Sequence, residues 1–214
     1  MDTYQRISRR RILSAAVIDN PGDAANIARA LLDGGLDVME VTFRNPHAAE
    51  SIRRIRAEVP DMWVGAGTLL TPAQINEAMD AGALFGVSPG FNPTVIRAAG
   101  DRGFPFIPGV FTPGEMEQSL ELGCPWVKFF PAGIPGAIDY LKTLSAPYAH
   151  TPLRIVPLGG VNAENLLDYL ALPTVPAVGG SWLTDRKLVA AKDWTALSAT
   201  AKFSLDRIRE RFGS

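Results

Sequence analysis

Short apolar segments alternate with amphipathic ones from one end of the chain to the other. The segments Ile12–Ile18, Leu36–Phe43, Met62–Gly67, Leu84–Ser88, Pro105–Pro108, Trp126–Phe130, Arg154–Leu158 and Pro176–Gly179 have the length and composition of strands. Between them run helix-like stretches with start signals. Asn20-Pro21, Asn45-Pro46, Thr71-Pro72, Asn92-Pro93 and Thr112-Pro113 each set a capping side chain before a proline at the first helical position. Several of these stretches close at glycine: Gly34-Gly35, Gly82, Gly103 and Gly123. From Trp194 the apolar positions Leu197, Ala201, Leu205, Ile208 and Phe212 recur at helical spacing and predict a final covering helix. Eight strand–helix units in series predict an α/β fold, a single-domain (β/α)8 TIM barrel spanning residues 1–214. An open doubly wound sheet is the alternative; even spacing and the lack of a dinucleotide fingerprint weigh against it.

Composition narrows the chemistry. The chain has 214 residues, 47% hydrophobic and 20% charged, and a formal net charge of -1, so no global field draws it to nucleic acid or anionic lipid. Arg9, Arg10 and Arg11 form a short basic cluster, read as a solvated helix end or a feature of the barrel base. A single cysteine, Cys124, rules out an intrachain disulfide and favours a reducing compartment. No apolar run approaches bilayer length and no signal-peptide pattern opens the chain, so a cytoplasmic location is expected. With only His47 and His150 as histidines, no metal-ligand set is evident, and neither metal nor cofactor is expected.

In a barrel, polar residues that do chemistry share one parity and sit late in their strands. Trp126-Val127-Lys128-Phe129-Phe130-Pro131 shows this pattern: Val127 and Phe129 suit the helix layer, while Trp126, Lys128 and Phe130 face the interior. Burial disfavours an ammonium. At the free lysine pKa of ~10.4 only roughly one amine in a few thousand is neutral at pH 7. A fall to about 7–8 makes a sizeable fraction neutral and able to attack a ketone. The other reading is a lysine that snorkels to the barrel mouth or sits in a structural ion pair.

Leu36–Arg44 has the same logic. Met39, Val41 and Phe43 form an outer face; Val38, Glu40, Thr42 and Arg44 an inner one. A buried Glu40 carboxyl with a raised pKa can shuttle protons. Arg44, about 13 Å further along an extended strand, could clamp a substrate carboxylate at the rim. The competing reading is an inner polar layer that only holds the barrel closed. Leu158-Gly159-Gly160-Val161-Asn162 and Val178-Gly179-Gly180-Ser181 end the seventh and eighth strands. Glycines at both places bare backbone N–H groups, as phosphate-binding barrels do after those strands, although each alone reads equally as a turn. Gly65-Ala66-Gly67-Thr68 leaves room at the end of strand three, and Ser88-Pro89-Gly90 ends strand four with a stiff turn. Cys124 lies near a strand start and is expected to be inert.

Taken in order, Glu40-Val41-Thr42-Phe43-Arg44, Gly65–Thr68, Ser88–Gly90, Pro108-Gly109, Lys128-Phe129-Phe130-Pro131-Ala132, Gly159-Gly160-Val161 and Gly179-Gly180-Ser181-Trp182 resemble the class I 2-keto-3-deoxy-6-phosphogluconate (KDPG) / 4-hydroxy-2-oxoglutarate (KHG) aldolase family. The resemblance implies Lys128 as Schiff-base lysine and Glu40 as general acid/base. It also implies Arg44 and Thr68 at the pyruvate carboxylate, Pro89 and Phe130 around the pyruvate, and Gly159, Gly160, Gly180 and Ser181 at the phosphate. It further implies a homotrimer without metal, cleaving KDPG to pyruvate and glyceraldehyde 3-phosphate. Leu158 departs from the family, which usually has threonine there, and Gly133-Ile134-Pro135-Gly136 departs as well. The alternatives kept open are an aldolase for 2-keto-3-deoxy-6-phosphogalactonate or KHG, a catalytically silent phosphosugar-binding barrel, and a phosphosugar isomerase or epimerase.

Overall fold

The structure is a computed structural model that describes residues 2–213. An N-terminal helix α1 (Thr3–Arg10) comes first, and the periodicity of the sequence does not announce it. Asp2 caps it: its carboxylate accepts from the Gln5 N–H at 2.8 Å while the Gln5 side chain reaches back to the Asp2 N–H. Arg11 ends the helix in the left-handed conformation, φ 58°. Thereafter strands and helices alternate: β1 (Ile12–Ala16), α2 (Ala24–Asp33), β2 (Val38–Thr42), α3 (Ala48–Glu58), β3 (Trp63–Gly67), α4 (Pro72–Asp80), β4 (Gly86–Val87), α5 (Pro93–Asp101). The series continues through β5 (Phe106–Ile107), β6 (Gly109–Val110), α6 (Pro113–Glu121), β7 (Trp126–Phe129), α7 (Ala137–Ser145), β8 (Arg154–Pro157), α8 (Leu166–Leu170), β9 (Val178–Gly180), α9 (Arg186–Ala190) and α10 (Trp194–Phe212).

All strand pairs are parallel. They form one ladder in the order β5-β4-β3-β2-β1-β9 and a second in the order β6-β7-β8. The fold is thus α/β with a curled parallel sheet under a helical layer. Within the segment expected as a strand, Pro105–Pro108, only Phe106 and Ile107 form one, because Pro108 has no N–H to continue a ladder; a further short strand, β6, follows it. Phe106 and Ile107 pair with β4, and the Pro108 carbonyl accepts from the Lys128 N–H at 2.8 Å, handing the chain to β7. Across the remaining seam, the Ile155 N–H donates to the Thr174 carbonyl at 2.9 Å.

Thr71, Asn92 and Thr112 cap α4, α5 and α6 with proline behind them, as expected. Asn20-Pro21 instead opens a short 3-10 turn, and α2 starts three residues later. Asn45 does not cap α3; its amide donates to the Ile18 carbonyl at 3.0 Å and ties two loops together. The predicted closers Gly35, Gly82, Gly103 and Gly123 all have positive φ. No helix among the described residues is long and apolar enough to cross a membrane.

The candidate active site

Strand alternation places Ala15, Glu40, Thr42, Lys128 and Leu158 around one cavity at the C-terminal end of the sheet, with a volume of about 70 Å³. Arg44, Gly159, Gly160, Gly180 and Ser181 line the same space, as does Val17. Ala15 stands in register with Glu40, and Lys128 with Gly109 on one side and Val156 on the other.

Lys128 is 4% exposed and Glu40 1%. Lys128 Nζ lies 4.0 Å from Glu40 Oε1, too far for a shared hydrogen bond, and 5.0 Å from the centre of the Phe130 ring. Glu40 Oε2 is buried without a hydrogen-bond partner. Room for this carboxyl comes from Gly67: a Cβ there would sit 2.9 Å from Glu40 Cδ. Burial lowers the Lys128 pKa; the Glu40 charge opposes that shift and the Arg44 charge adds to it. Burial raises the Glu40 pKa, against the pull of Lys128 and Arg44. Both shifts favour the uncharged pair, a free amine next to a carboxylic acid, facing an open cavity.

The glycine turns form the far wall. Gly159 and Gly160 have φ of 79° and 98°, which L side chains rarely adopt. Gly160 meets Gly133 backbone to backbone, so that a Cβ on Gly160 would lie 2.2 Å from Gly133 Cα. The Phe130 ring covers Gly159. The Ala132 N–H donates to the Leu158 carbonyl at 2.9 Å, and the Tyr169 hydroxyl donates to the Ala132 carbonyl, which fixes the segment after Lys128 on the turn that follows β8. After β9, a 3-10 turn begins at Ser181 without a side-chain cap, so its first N–H groups are available to an anion.

Of the residues singled out from sequence, Lys128, Glu40, Arg44, Gly159, Gly160, Gly180 and Ser181 therefore share one cavity, with Phe130 against the amine. Thr68 and Pro89 do not line it. Thr68 ends β3 at φ 60°, and Pro89 packs its carbonyl where a Gly109 side chain would be. Ala15 and Val17 carry no chemical signal in the sequence; they are small and apolar, and only their parity on the first strand could have pointed to them. Cys124 is buried, its thiol pushed up to about 11 by burial, and it takes no part in the cavity. Among the described residues no group of three or more His, Cys, Asp or Glu side chains could hold a metal ion.

Residues 4–200 match the family described as KDPG and KHG aldolase. The chain belongs to that family. It is 43% identical to the 2-dehydro-3-deoxy-phosphogluconate aldolase of Treponema pallidum, over 94% of this chain and 95% of the relative. It is 39% identical to the enzyme of the same name from Haemophilus influenzae, over 96% of each. Among solved structures, the KDPG aldolase of Legionella pneumophila, with pyruvate captured at low pH as a covalent carbinolamine intermediate, superposes with a TM-score of 0.88 at 34% identity. That match covers 92% of this chain and 95% of the other. The KDPG/KHG aldolase family is thus established by sequence and by fold together.

Proposed function

We propose that this chain is a class I aldolase that cleaves 2-keto-3-deoxy-6-phosphogluconate to pyruvate and glyceraldehyde 3-phosphate, with Lys128 as the nucleophile. The observation that carries the reading is the buried Lys128 amine, driven toward its neutral form and facing a cavity 4.0 Å from a carboxyl it does not hydrogen-bond. Neutral Lys128 adds to the C2 ketone, and loss of water from the carbinolamine gives an iminium that accepts the electron pair of the C3–C4 bond. The Glu40 acid gives its proton to the departing hydroxyl; the resulting carboxylate removes the C4 hydroxyl proton as the C3–C4 bond breaks and then returns it to C3 of the enamine. Water hydrolyses the pyruvate imine and frees the amine. A carbinolamine with pyruvate, the species captured in the Legionella enzyme, is the last covalent stage of this sequence, reached as water adds to the pyruvate imine.

Arg44, at the rim, pairs with the substrate carboxylate, with Phe130 packed against the pyruvate end. The Gly159-Gly160 and Gly180-Ser181 turns receive the phosphate through their N–H groups. The fold closes as a single-domain (β/α)8 barrel, assembles as a homotrimer and needs neither metal nor cofactor; it acts in the cytoplasm. Leu158 favours a second substrate reading, the galactonate epimer or KHG. It puts a branched apolar side chain in the cavity, against Gly179, where the hydroxylated tail would pass. Turnover of both epimers, with and without phosphate, separates these. The reaction class is tested by incubating the protein with pyruvate, reducing with borohydride and mapping the adduct by mass spectrometry. An adduct on Lys128 is expected; none on folded protein removes the proposal.

A further inference from the structure

A concavity of about 610 Å³ lies at the opposite end of the sheet from Lys128, between the last turn of α1 and the last two turns of α10. Its location follows from the ladder: Arg11 precedes β1, and its carbonyl accepts from the Val178 N–H at the start of β9. Arg9, Arg10, Arg11 and Arg209 line it, and no carboxylate does. Two of these four arginines already have carboxylate partners. Asp37 takes Arg10 at 2.6 Å and Arg6 at 2.9 Å, and Asp206 takes Arg209 and Lys202. Arg9 and Arg11 have no carboxylate partner among the described residues. The Arg11 guanidinium lies over the Phe212 ring at 5.1 Å, so the ring pre-orders one of the charges.

Of the four guanidinium groups around the hollow, those of Arg9 and Arg11 have no counter-charge among the described residues and repel each other, in a chain whose net charge is only -1. An anion would relieve that repulsion, and guanidinium geometry suits phosphate oxygens two at a time. The floor is apolar, made by Leu205, Ile208 and Phe212, and the volume falls in the range of about 300–1,000 Å³ usual for small-molecule sites. A hollow of this shape fits a compact anion with a hydrophobic portion better than it fits a flat bilayer or a nucleic-acid duplex. We propose that this groove binds an organic polyphosphate of the nucleoside di- or triphosphate class, at a site separate from the lysine cavity and independent of the aldolase reading.

The test is calorimetric titration of the full chain with ATP and, separately, with inorganic tripolyphosphate at low ionic strength. The wild type is expected to bind ATP saturably, more weakly as salt is raised. The double variant Arg9→Glu/Arg209→Glu, at two exposed positions, is expected to bind about tenfold or more weakly, with an unchanged melting curve and unchanged aldol cleavage. Tighter binding of ATP than of tripolyphosphate supports a contribution from the apolar floor, whereas equal binding overturns the organic part of the proposal. Hydrogen exchange supplies a readout that needs no variant: ATP is expected to protect residues 8–11 and 205–213. No saturable binding at millimolar ATP, binding untouched by the double variant, or protection at residues 158–181 instead overturns the site.

Discussion

The protonation of Lys128 is decided by opposing influences that substitution can separate. Burial lowers its pKa most, and the Glu40 carboxylate is the influence that holds it up. Glu40→Gln removes that support while keeping the shape, so the amine should lose its proton at still lower pH. The midpoint of borohydride-trapped adduct formation against pH is expected to move down, while plateau cleavage falls about 10²–10⁴-fold for want of the proton carrier. An unchanged midpoint would mean that the two groups do not sense each other. Stability carries the same signature. A folded-state pKa below the ordinary 10.5 means that, between the lowered value and 10.5, the unfolded chain holds a proton that the folded chain lacks. Unfolding free energy therefore rises with pH across that window. Glu40 acts in the opposite direction: from about 4.5 up to its raised value, stability falls as pH climbs. Lys128→Met is expected to abolish both turnover and the alkaline rise, without destabilising the fold at neutral pH, since it replaces a costly buried amine with an apolar chain of similar length. Urea midpoints over a pH series check this, and a rise that survives the substitution assigns it to another group.

At the scale of elements, the caps and strand parity were legible because both depend on residues a few positions apart. Thr71-Pro72 and Thr112-Pro113 start helices as read, and Glu40, Thr42 and Lys128 face one cavity because alternation along a strand is local geometry. What was not legible depends on contacts distant in sequence. Helix α1 has a polar, strongly basic sequence, and its place is fixed by Asp37, 27 residues beyond Arg10. Asn45 has the look of a cap, yet its amide goes to the Ile18 carbonyl on the preceding loop. Pro108 ends β5, and β6, Gly109–Val110, follows where periodicity reads no strand. The glycine turns were visible as composition, but not the reason for Gly160, which is its backbone contact with Gly133. Gly160→Ala is therefore expected to cost about 1–3 kcal/mol, from a strained φ and a displaced neighbouring loop. It should also raise KM for a phosphorylated substrate more than it lowers kcat. Gly114→Ala, where a Cβ meets nothing within 4 Å, is the control expected to change neither. Thermal melts and initial rates distinguish the two, and a silent Gly160→Ala would detach the turn from binding.

Across the whole molecule the sheet is unevenly laced. β2 pairs with β1 and β3 through continuous registers, Ser14 to Ala16 on one side and Trp63 to Gly67 on the other. β7 and β8 are paired over four residues, but between β8 and β9 there is no ladder, and the Ile155–Thr174 bond ties β8 to the segment before β9. Leu158 bridges the same seam from inside, its side chain occupying the space that a residue other than Gly179 would fill. Opening the seam thus breaks fewer backbone hydrogen bonds than opening the sheet at β2, although it exposes Leu158 and Val178. The free energy of a local opening grows with the hydrogen bonds it breaks and the apolar surface it bares to water. Native-state hydrogen exchange should therefore find the Ile155 amide opening at lower free energy than those of Met39, Glu40 and Val41. The cavity spans this seam, with Lys128 and Leu158 on the β7–β8 side and Gly180 and Ser181 beyond it. A ligand that bridges the two sides must raise the opening free energy of the seam selectively. Adding a non-cleavable phosphorylated acid is expected to slow exchange at Ile155 and the 158–161 turn while leaving β2 nearly unchanged. Uniform slowing across all strands would instead mean that the sheet opens only as one body and that the seam has no mechanical identity of its own.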